Sequence, residues 1–191
     1  MAVTQRGKFD PEVIQGVLTR LPYVHHQEVP HVVLADRVYV AAEIQAFLFA
    51  WISGLRCPVL NRPTAFNLSG PAWRSEQWLH LAAHVGLSID STRLVIAPGS
   101  RSSDLPILQP SAASVTIVGE NHVGLLDSTL ISQAHKLAAA AGVDLLTVTF
   151  SSVHADAKFI GATLWPNPLD PSIGSLIVDY FKCRARPALE D

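Results

Sequence analysis

The stretch between residues 57 and 89 limits the folds open to this chain more than any other part. Residues 57–60 form a short apolar run, Asn61 to Pro63 have the composition of a turn, and a second apolar pattern ends at Gly86. The first run is typical of a buried strand, and the second predicts a helix whose core-facing side includes Trp78. A strand, a turn and a helix in this order indicate a sheet with helices packed on it.

The bulk composition bounds the fold class and the partners. The 191 residues are 49% hydrophobic and 16% charged, which is enough to bury a core and argues against disorder. A net charge of -2 argues against a general nucleic-acid surface. Cys57 and Cys183 are the two cysteines, so we expect no disulfide framework and a reducing compartment. These features predict a cytoplasmic protein that does not bind nucleic acid.

The most apolar run predicts a core helix and no membrane span. Residues 40–55 are interrupted by Glu43 and Gln45 and fall short of the roughly 20 residues that a span needs. A helix over 40–53 would be apolar nearly all round, and we therefore expect neighbours to cover most of it. Residues 1–12 lack the apolar core of a secretory signal.

The rest of the chain predicts two lobes with a linker between them. Prolines and serines are concentrated at residues 98–113, which we interpret as the linker. The lobes would then be residues 1–97 and 114–182, with a tail at 183–191. Further elements are expected from caps and periodicity: a helix from Asp10 to Leu18, a helix from 127 or 128 to Gly142, strands at 93–97, 114–118, 145–150 and 158–164, and a last helix starting at Asp170 and Pro171.

Two histidines and two tryptophans stand out as candidate site residues. His80 and His84 are one helical turn apart and could present both rings to a metal ion. Leu81 occupies the position at which zinc proteases carry a glutamate, so hydrogen-bonded or surface histidines are the alternative interpretation. Trp73 and Trp165 lie in or beside predicted loops, where a tryptophan can face a ligand or a partner.

The order of the predicted elements resembles that found in glutathione-synthetase-like ATP-grasp ligases. Residues 38–89 resemble the family's helix, strand and "pVlN.p" turn, and residues 115–127 are similar to its hairpin. Residues 131–152 are similar to its helix and following strand, and residues 159–170 to its "eVN..P" strand and loop. The resemblance spans about residues 36–182. It implies an α/β (α+β) fold, in which an N-terminal strand–helix lobe precedes a C-terminal antiparallel sheet with helices.

Several departures from this family imply that its chemistry is lost. The family's lysine would fall near Trp73 or Arg74, and its metal-binding residues near Ala162 and Leu164, which cannot hold Mg²⁺. The region between 96 and 115 has no room for the family's central ATP-binding lobe. Phosphoryl transfer depends on correctly placed metal ions and cations. The resemblance therefore implies a truncated protein that makes no acyl phosphate and needs no cofactor.

The functional expectation that results is a binding or accessory protein, such as the partner of a ligase or of a peptide-modifying enzyme. We expect a protein partner or self-association. The absence of the family's lysine and metal-binding residues argues against an enzyme. The alternatives are a metal-dependent enzyme using His80 and His84, and a self-associating structural protein. The residues expected to bind a ligand or partner are Asn61, Arg62, Trp73, Arg74, Trp165 and Asn167.

Overall fold

The structure is a computed structural model that describes residues 2–4, 7–9, 13–89, 112–167 and 169–184. The predicted strand at 93–97, the predicted linker up to residue 111 and the tail beyond residue 184 lie outside the described residues. The contacts of the chain divide it into two compact units. The first unit comprises Met1–Ala72 and Gly174–Asp191, and the second unit comprises Trp73–Ile173. The lobe boundary expected between 97 and 98 stays a prediction.

The first unit contains two small sheets and one long helix. Strands β1 (Ala2–Thr4) and β2 (Gly7–Phe9) pair antiparallel, and strands β3 (Val17–Leu18) and β4 (Val59–Leu60) pair in parallel. Helix α1 runs from Arg37 to Gly54. A small core joins these elements, with Ile52, Val59 and Leu68 at its centre and with Val17, Leu21, Leu48, Trp51 and Leu55 packed around them.

The helix expected from Asp10 to Leu18 is wrong at its C-terminal end, and its first residues lie outside the described ranges. Val17 and Leu18 form strand β3. The backbone N–H groups of Val17 and Thr19 donate to the carbonyl oxygens of Pro58 and Leu60, each over 3.0 Å. A pair of adjacent apolar residues fits either a helix face or a short strand. Here the pairing partner, 42 residues away in the chain, decides between the two.

The expectation that neighbours would cover most of the apolar helix is also wrong. In α1, Ala41 and Ile52 are buried, whereas Val38, Tyr39 and Phe47 are exposed. The helix has apolar residues on every side, but a small sheet and its loops can cover only one side of it. Within the described ranges, no helix is both long enough and apolar enough to cross a membrane.

The second unit is built on a four-stranded antiparallel sheet. Its strands are β5 (Ala113–Val118), β6 (Asn121–Val123), β7 (Leu145–Phe150) and β8 (Phe159–Thr163), and their order in the sheet is β6-β5-β7-β8. Helix α2 (Ser75–His84) contacts β8, and helix α3 (Ser128–Ala141) contacts β5 and β7. The expected α+β fold with a C-terminal antiparallel sheet is confirmed.

The register of this sheet places the main core on one face. Val115 pairs with Val148, which in turn pairs with Ala162, so these three side chains point the same way. They pack with residues of α2 and α3, including Trp78, Leu130 and Leu137. The alternate residues of the same strands point to the opposite face, as the two-residue period requires.

Two local hydrogen-bonded motifs fix the ends of α3 where the sequence predicts them. The Asp127 carboxylate accepts a hydrogen bond from the N–H of Thr129 over 2.8 Å, which caps the first turn. Gly142 has φ +65°, the left-handed conformation that commonly ends a helix. The last helix, α4 (Pro171–Arg184), starts in a similar way, because the Asp170 carboxylate accepts from the N–H of Ser172 over 2.9 Å.

Candidate functional site

The six expected binding residues are divided between the two units. Asn61 and Arg62 belong to the first unit, and the other four belong to the second: Trp73, Arg74, Trp165 and Asn167. The six side chains differ in their exposure to solvent and in the hydrogen bonds that they make within their own unit.

Asn61 and Arg62 follow strand β4 but differ in exposure. Asn61 is 4% exposed, and its backbone carbonyl accepts a hydrogen bond from the Thr19 hydroxyl over 3.3 Å. The same hydroxyl lies 3.2 Å from the carbonyl oxygen of Leu60. Arg62 is exposed. The turn thus holds Asn61 inside the unit and presents Arg62 outward.

The Cys57 thiol beside this turn is half-buried and has the character of a structural group. Burial raises the pKa of the Cys57 thiol, and a backbone hydrogen bond and the positive charge of Arg62 oppose that rise. A raised pKa keeps the thiol protonated at neutral pH, and the protonated thiol is a poor nucleophile. Cys57 therefore offers no activated group to the Asn61 turn.

A second turn follows directly and presents an aromatic side chain. Thr64 and Asn67 exchange backbone hydrogen bonds of 2.8 and 3.2 Å. The side-chain oxygen of Asn67 also accepts from the N–H of Ser69 over 2.8 Å. Between them Phe66 is 84% exposed. The turn therefore holds an apolar ring in solvent on a well hydrogen-bonded backbone, a feature that the sequence pattern did not single out.

The expected tryptophans lie at the margin of the core of the second unit. Trp73 and Trp78 meet edge to face, with ring centroids 4.8 Å apart and planes at 64°. Trp78 is buried, whereas Trp73 and Trp165 are half-buried and pack against the same core cluster. A half-buried tryptophan has an apolar body fixed by packing and a part exposed to solvent. Both residues have the exposure that a binding role requires.

Arg74 and Asn167 are exposed, and each also takes part in a local turn. The backbone N–H of Arg74 donates to the side-chain oxygen of Gln77 over 2.9 Å at the start of α2. The side-chain oxygen of Asn167 accepts from the N–H of Leu169 over 3.1 Å, just before α4. The guanidinium of Arg74 is thus available at the surface, while Asn167 has a demonstrated role in shaping its loop.

His80 and His84 are both exposed on α2, one turn apart. Across the described ranges, no group of three or more His, Cys, Asp or Glu side chains is arranged to hold a metal ion. The metal site at His80 and His84 stays a prediction, which the metal content of untagged protein would test. In the first unit, His25 Nδ1 accepts a hydrogen bond from the N–H of Gln27 over 3.3 Å and so helps to shape its own turn.

The structure also pairs two histidines that the sequence pattern did not connect. His122 on β6 and His135 on α3 meet edge to face, with ring centroids 5.8 Å apart. Burial lowers the pKa of His135, the neighbouring His122 lowers it further, and Glu120 acts in the opposite direction. Burial and the neighbouring His122 thus favour the neutral form of the His135 imidazole. No local spacing joins these residues, because one lies on a strand and the other on a helix.

The sheet of the second unit carries a row of hydroxyl groups on the face opposite α2 and α3. The Thr116 and Thr147 hydroxyls lie 2.8 Å apart across the β5–β7 pair. Ser114, Thr149 and Thr163 lie on the same face by register. The signal in the sequence was a hydroxyl residue at alternate positions of two strands, Ser114 and Thr116 in β5 and Thr147 and Thr149 in β7. We call this group of five side chains the hydroxyl face.

The positions at which the resemblance implied metal ligands lie on the core side. Ala162 packs against the core cluster, and Leu164 is a buried member of it. Their side chains are therefore part of the hydrophobic packing beneath the helices. Neither chemistry nor position suits them to bind a cation.

Comparison with known proteins identifies one similar fold. No protein-family model matches the chain, and no curated protein matches its sequence. The structure is similar to that of the macrocyclase MdnC from Microcystis aeruginosa MRC, solved bound with the precursor peptide MdnA, with a TM-score of 0.59 and 13% identity. The match covers 94% of this chain and 81% of that chain.

A second macrocyclase of the same organism, MdnB, matches less well. Its TM-score is 0.48 at 17% identity, and the match covers 91% of this chain and 73% of that chain. MdnC is therefore the structure to which the fold of this chain is compared.

The expected kinship with glutathione-synthetase-like ligases is wrong, because the similarity found is to a macrocyclase. The short motifs that suggested those ligases describe a strand–turn–helix and a strand–loop, and such motifs recur wherever these elements join. The similarity to MdnC supports an ATP-grasp-like fold. The chain therefore has an α+β fold similar to that of the macrocyclase MdnC.

Proposed function

We propose that this chain is an accessory protein of a peptide-modifying system, and that it binds a peptide without catalysing bond formation itself. The observation that carries the proposal is the fold similarity to MdnC over 94% of the chain, since MdnC was solved bound with a precursor peptide. A fold can keep a binding role after its chemistry has changed, because function resides in the side chains placed on it.

The hydroxyl face supports the non-catalytic part of the proposal. Its residues, Ser114, Thr116, Thr147, Thr149 and Thr163, are small and uncharged. Thr116 is buried and bonded to Thr147, whereas Ser114 and Thr163 are exposed. Exposed hydroxyl groups both donate and accept hydrogen bonds, which suits them to peptide N–H and C=O groups. Nucleotide phosphates with Mg²⁺ are held instead by carboxylates and fixed cations. This face is chemically suited to neutral polar groups.

We place the peptide contact of the second unit at Trp73, Arg74, Trp165 and Asn167. Tryptophan and arginine are enriched among the residues that dominate binding energies. Trp73 and Trp165 would supply apolar area that is already fixed by packing, so little side-chain entropy is lost on binding. Arg74 would pair with an acidic group or a carbonyl oxygen of the peptide. In the first unit, Arg62 is the exposed candidate for a separate contact.

Tryptophan fluorescence of the full chain can test peptide binding directly. The first probe is the peptide MdnA, and the second is a displayed library of random 12-residue peptides. We expect at least one probe to bind with micromolar affinity. Mg-ATP added to the complex should then yield neither ADP nor the loss of water mass that ring closure would produce. Failure of both probes to bind, or peptide-dependent ATP hydrolysis, would overturn the proposal.

Arginine substitutions provide a matched pair for locating the contact. Arg74→Ala should weaken binding of the selected peptide about tenfold, the loss typical of an exposed residue at the centre of an interface. Arg56→Ala removes another exposed arginine, from the first unit, and should leave the affinity unchanged. Equal effects of the two substitutions would mean that general charge, rather than a contact at Arg74, governs binding.

A further inference from the structure

The outer side of α1 is an apolar surface on a helix that the rest of the first unit covers on one side. Val38, Ala42, Ala46 and Phe49 follow one another at steps of four, four and three residues, so they share a face. All four are exposed, as are Tyr39, Phe47 and Ala50 beside them. We call these seven residues the α1 face.

The large side chains of this face are widely open to solvent. Val38 is 66% exposed, Tyr39 67%, Phe47 66% and Phe49 36%. The turn leading into the helix adds exposed Val33 and Leu34. Exposed apolar surface of this extent in one place marks an interaction site in soluble proteins.

The available area is of the size that a stable dimer needs. The helix has 18 residues and is therefore about 27 Å long. Because a tyrosine or phenylalanine side chain offers roughly 200 Å², the exposed side chains of the α1 face amount to several hundred Å². Each partner of a standard protein complex contributes about 800 Å². The α1 face with its leading turn supplies most of such a contact.

The arrangement of side-chain sizes is self-complementary. Ala42 and Ala46 lie in the middle part of the α1 face, with Tyr39 before them and Phe47 and Phe49 after them. In an antiparallel pairing centred between Ala42 and Ala46, the small residues allow the two helices to approach closely. Tyr39 of each copy then lies beside Phe49 of the other copy. A two-fold contact requires one patch to match itself in this way.

The α1 face carries few polar side chains, which suits it to pack against the same face of a second copy. Of the two charged residues of α1, Arg37 donates hydrogen bonds to the carbonyl oxygens of Val32 and Pro30. Glu43 is exposed and lies one helical turn from both Tyr39 and Phe47, at the rim of the pairing. In the antiparallel pairing, the two copies of Glu43 lie at the same rim of the contact. They would weaken the association through repulsion between like charges.

We propose that the chain associates with a second copy of itself through the α1 face. This association is independent of peptide binding, so either proposal can fail without the other. A second copy is the occupant for two reasons: small residues flanked by aromatic residues allow the face to match itself, and its area supplies most of one side of a standard dimer.

Sedimentation equilibrium of the full chain between 1 and 100 μM provides the test. We expect twice the monomer mass at the upper end of this range. Ala46→Glu should shift the protein to the monomer mass, with at least a tenfold weaker association. Phe66→Glu, which changes an exposed aromatic residue outside α1, should leave the dimer intact. Near-UV circular dichroism would verify that both variants stay folded.

A third variant examines the pairing itself. Glu43→Gln removes the rim repulsion and should tighten the dimer several-fold. A monomer mass for the unchanged protein at 100 μM would overturn the proposal, and so would a dimer that Ala46→Glu leaves intact. Flotation of the unchanged protein with phosphatidylserine-containing vesicles, lost in Ala46→Glu, would also overturn it, because the face would then bind lipid.

Discussion

At the scale of single residues, the most informative groups are those whose side chains hold the backbone in place. Asp127 caps α3 through the N–H of Thr129, and this role explains both the position of the helix start and the acidity of the carboxyl group. Hydrogen bonds from the backbone and side chain of Thr129 lower the pKa of Asp127, burial slightly opposes them, and His154 adds a further lowering effect.

The lowered pKa predicts an acid-dependent loss of stability at this cap. Because the pKa is lower in the folded state, the ionised carboxylate stabilises the fold above its unfolded-state pKa. That contribution disappears as the pH falls through the folded-state value. Asp127→Asn keeps the acceptor but not the charge, so its melting temperature should lie below that of the unchanged protein at pH 7 and converge with it in acid.

Thermal melts followed by circular dichroism between pH 7 and pH 2 would measure this convergence. Asp127→Ala serves as the control, since it removes both the acceptor and the charge and should be the least stable protein at pH 7. A constant difference between the unchanged protein and Asp127→Asn at every pH would contradict the assignment.

At the scale of elements, the sheet of the second unit combines one apolar face with a face on which hydroxyl groups lie beside buried Val118 and Leu145. Thr116 is 4% exposed, and its hydroxyl is satisfied by Thr147 on the neighbouring strand. A buried polar group is costly when its partner is lost, whereas removal of both partners costs much less. The pair is therefore suited to a double-mutant cycle.

The cycle predicts coupling between the two threonines. Thr116→Val should lower the free energy of unfolding by about 1 kcal/mol, because the Thr147 hydroxyl is left without its partner. The double change to valine should cost less than the sum of the two single changes, with a coupling energy of about 1 kcal/mol. Urea denaturation would measure the free energy of unfolding of all four proteins.

Thr149→Val, on the same face, is the control and should change the stability by less than about 0.5 kcal/mol. Additive effects would mean that the hydroxyl pair contributes nothing.

At the scale of the whole molecule, the two ends of the chain contribute to the same unit. The first unit includes residues from Gly174 onward, so most of α4 belongs with β3 and α1 rather than with the sheet that precedes it. One contact shows how closely the two ends approach each other. A Cβ atom added at Gly16, just before β3, would overlap the ring of Phe181 on α4.

Because Gly16 and Phe181 both belong to the first unit, a substitution at Gly16 should destabilise that unit and leave the second unit unchanged. Gly16→Ala should destabilise that unit by about 1–3 kcal/mol, the usual effect of overpacking. Hydrogen exchange should become faster at the N–H groups of Val17 and Thr19, which are bonded to the β4 region, and stay unchanged along β7. Gly54→Ala is the matched control, since a Cβ there meets nothing within 4 Å. Equally faster exchange in β7 would show that the units unfold together.

The sequence by itself determined the elements whose signals are local. The start of α3 at the Asp127 cap, its end at Gly142, the strand Leu145–Phe150 and the start of α4 after Asp170 were all predictable. Each depends on hydrogen bonds or side-chain periodicity within a few residues. For the site, the ligand-facing or partner-facing role expected for Trp73 and Trp165 stays a prediction. The same reasoning could not see that Asn61 is buried or that His122 meets His135.

The tertiary structure decided everything that depends on a partner distant in the chain. Val17 and Leu18 became a strand because Val59 and Leu60 lie beside them, and α1 kept an open side because few elements surround it. The similarity to MdnC was likewise visible in the arrangement of elements, at an identity of 13%. Local pattern fixes which residues can form an element, whereas burial and pairing depend on neighbours that only the folded chain brings together.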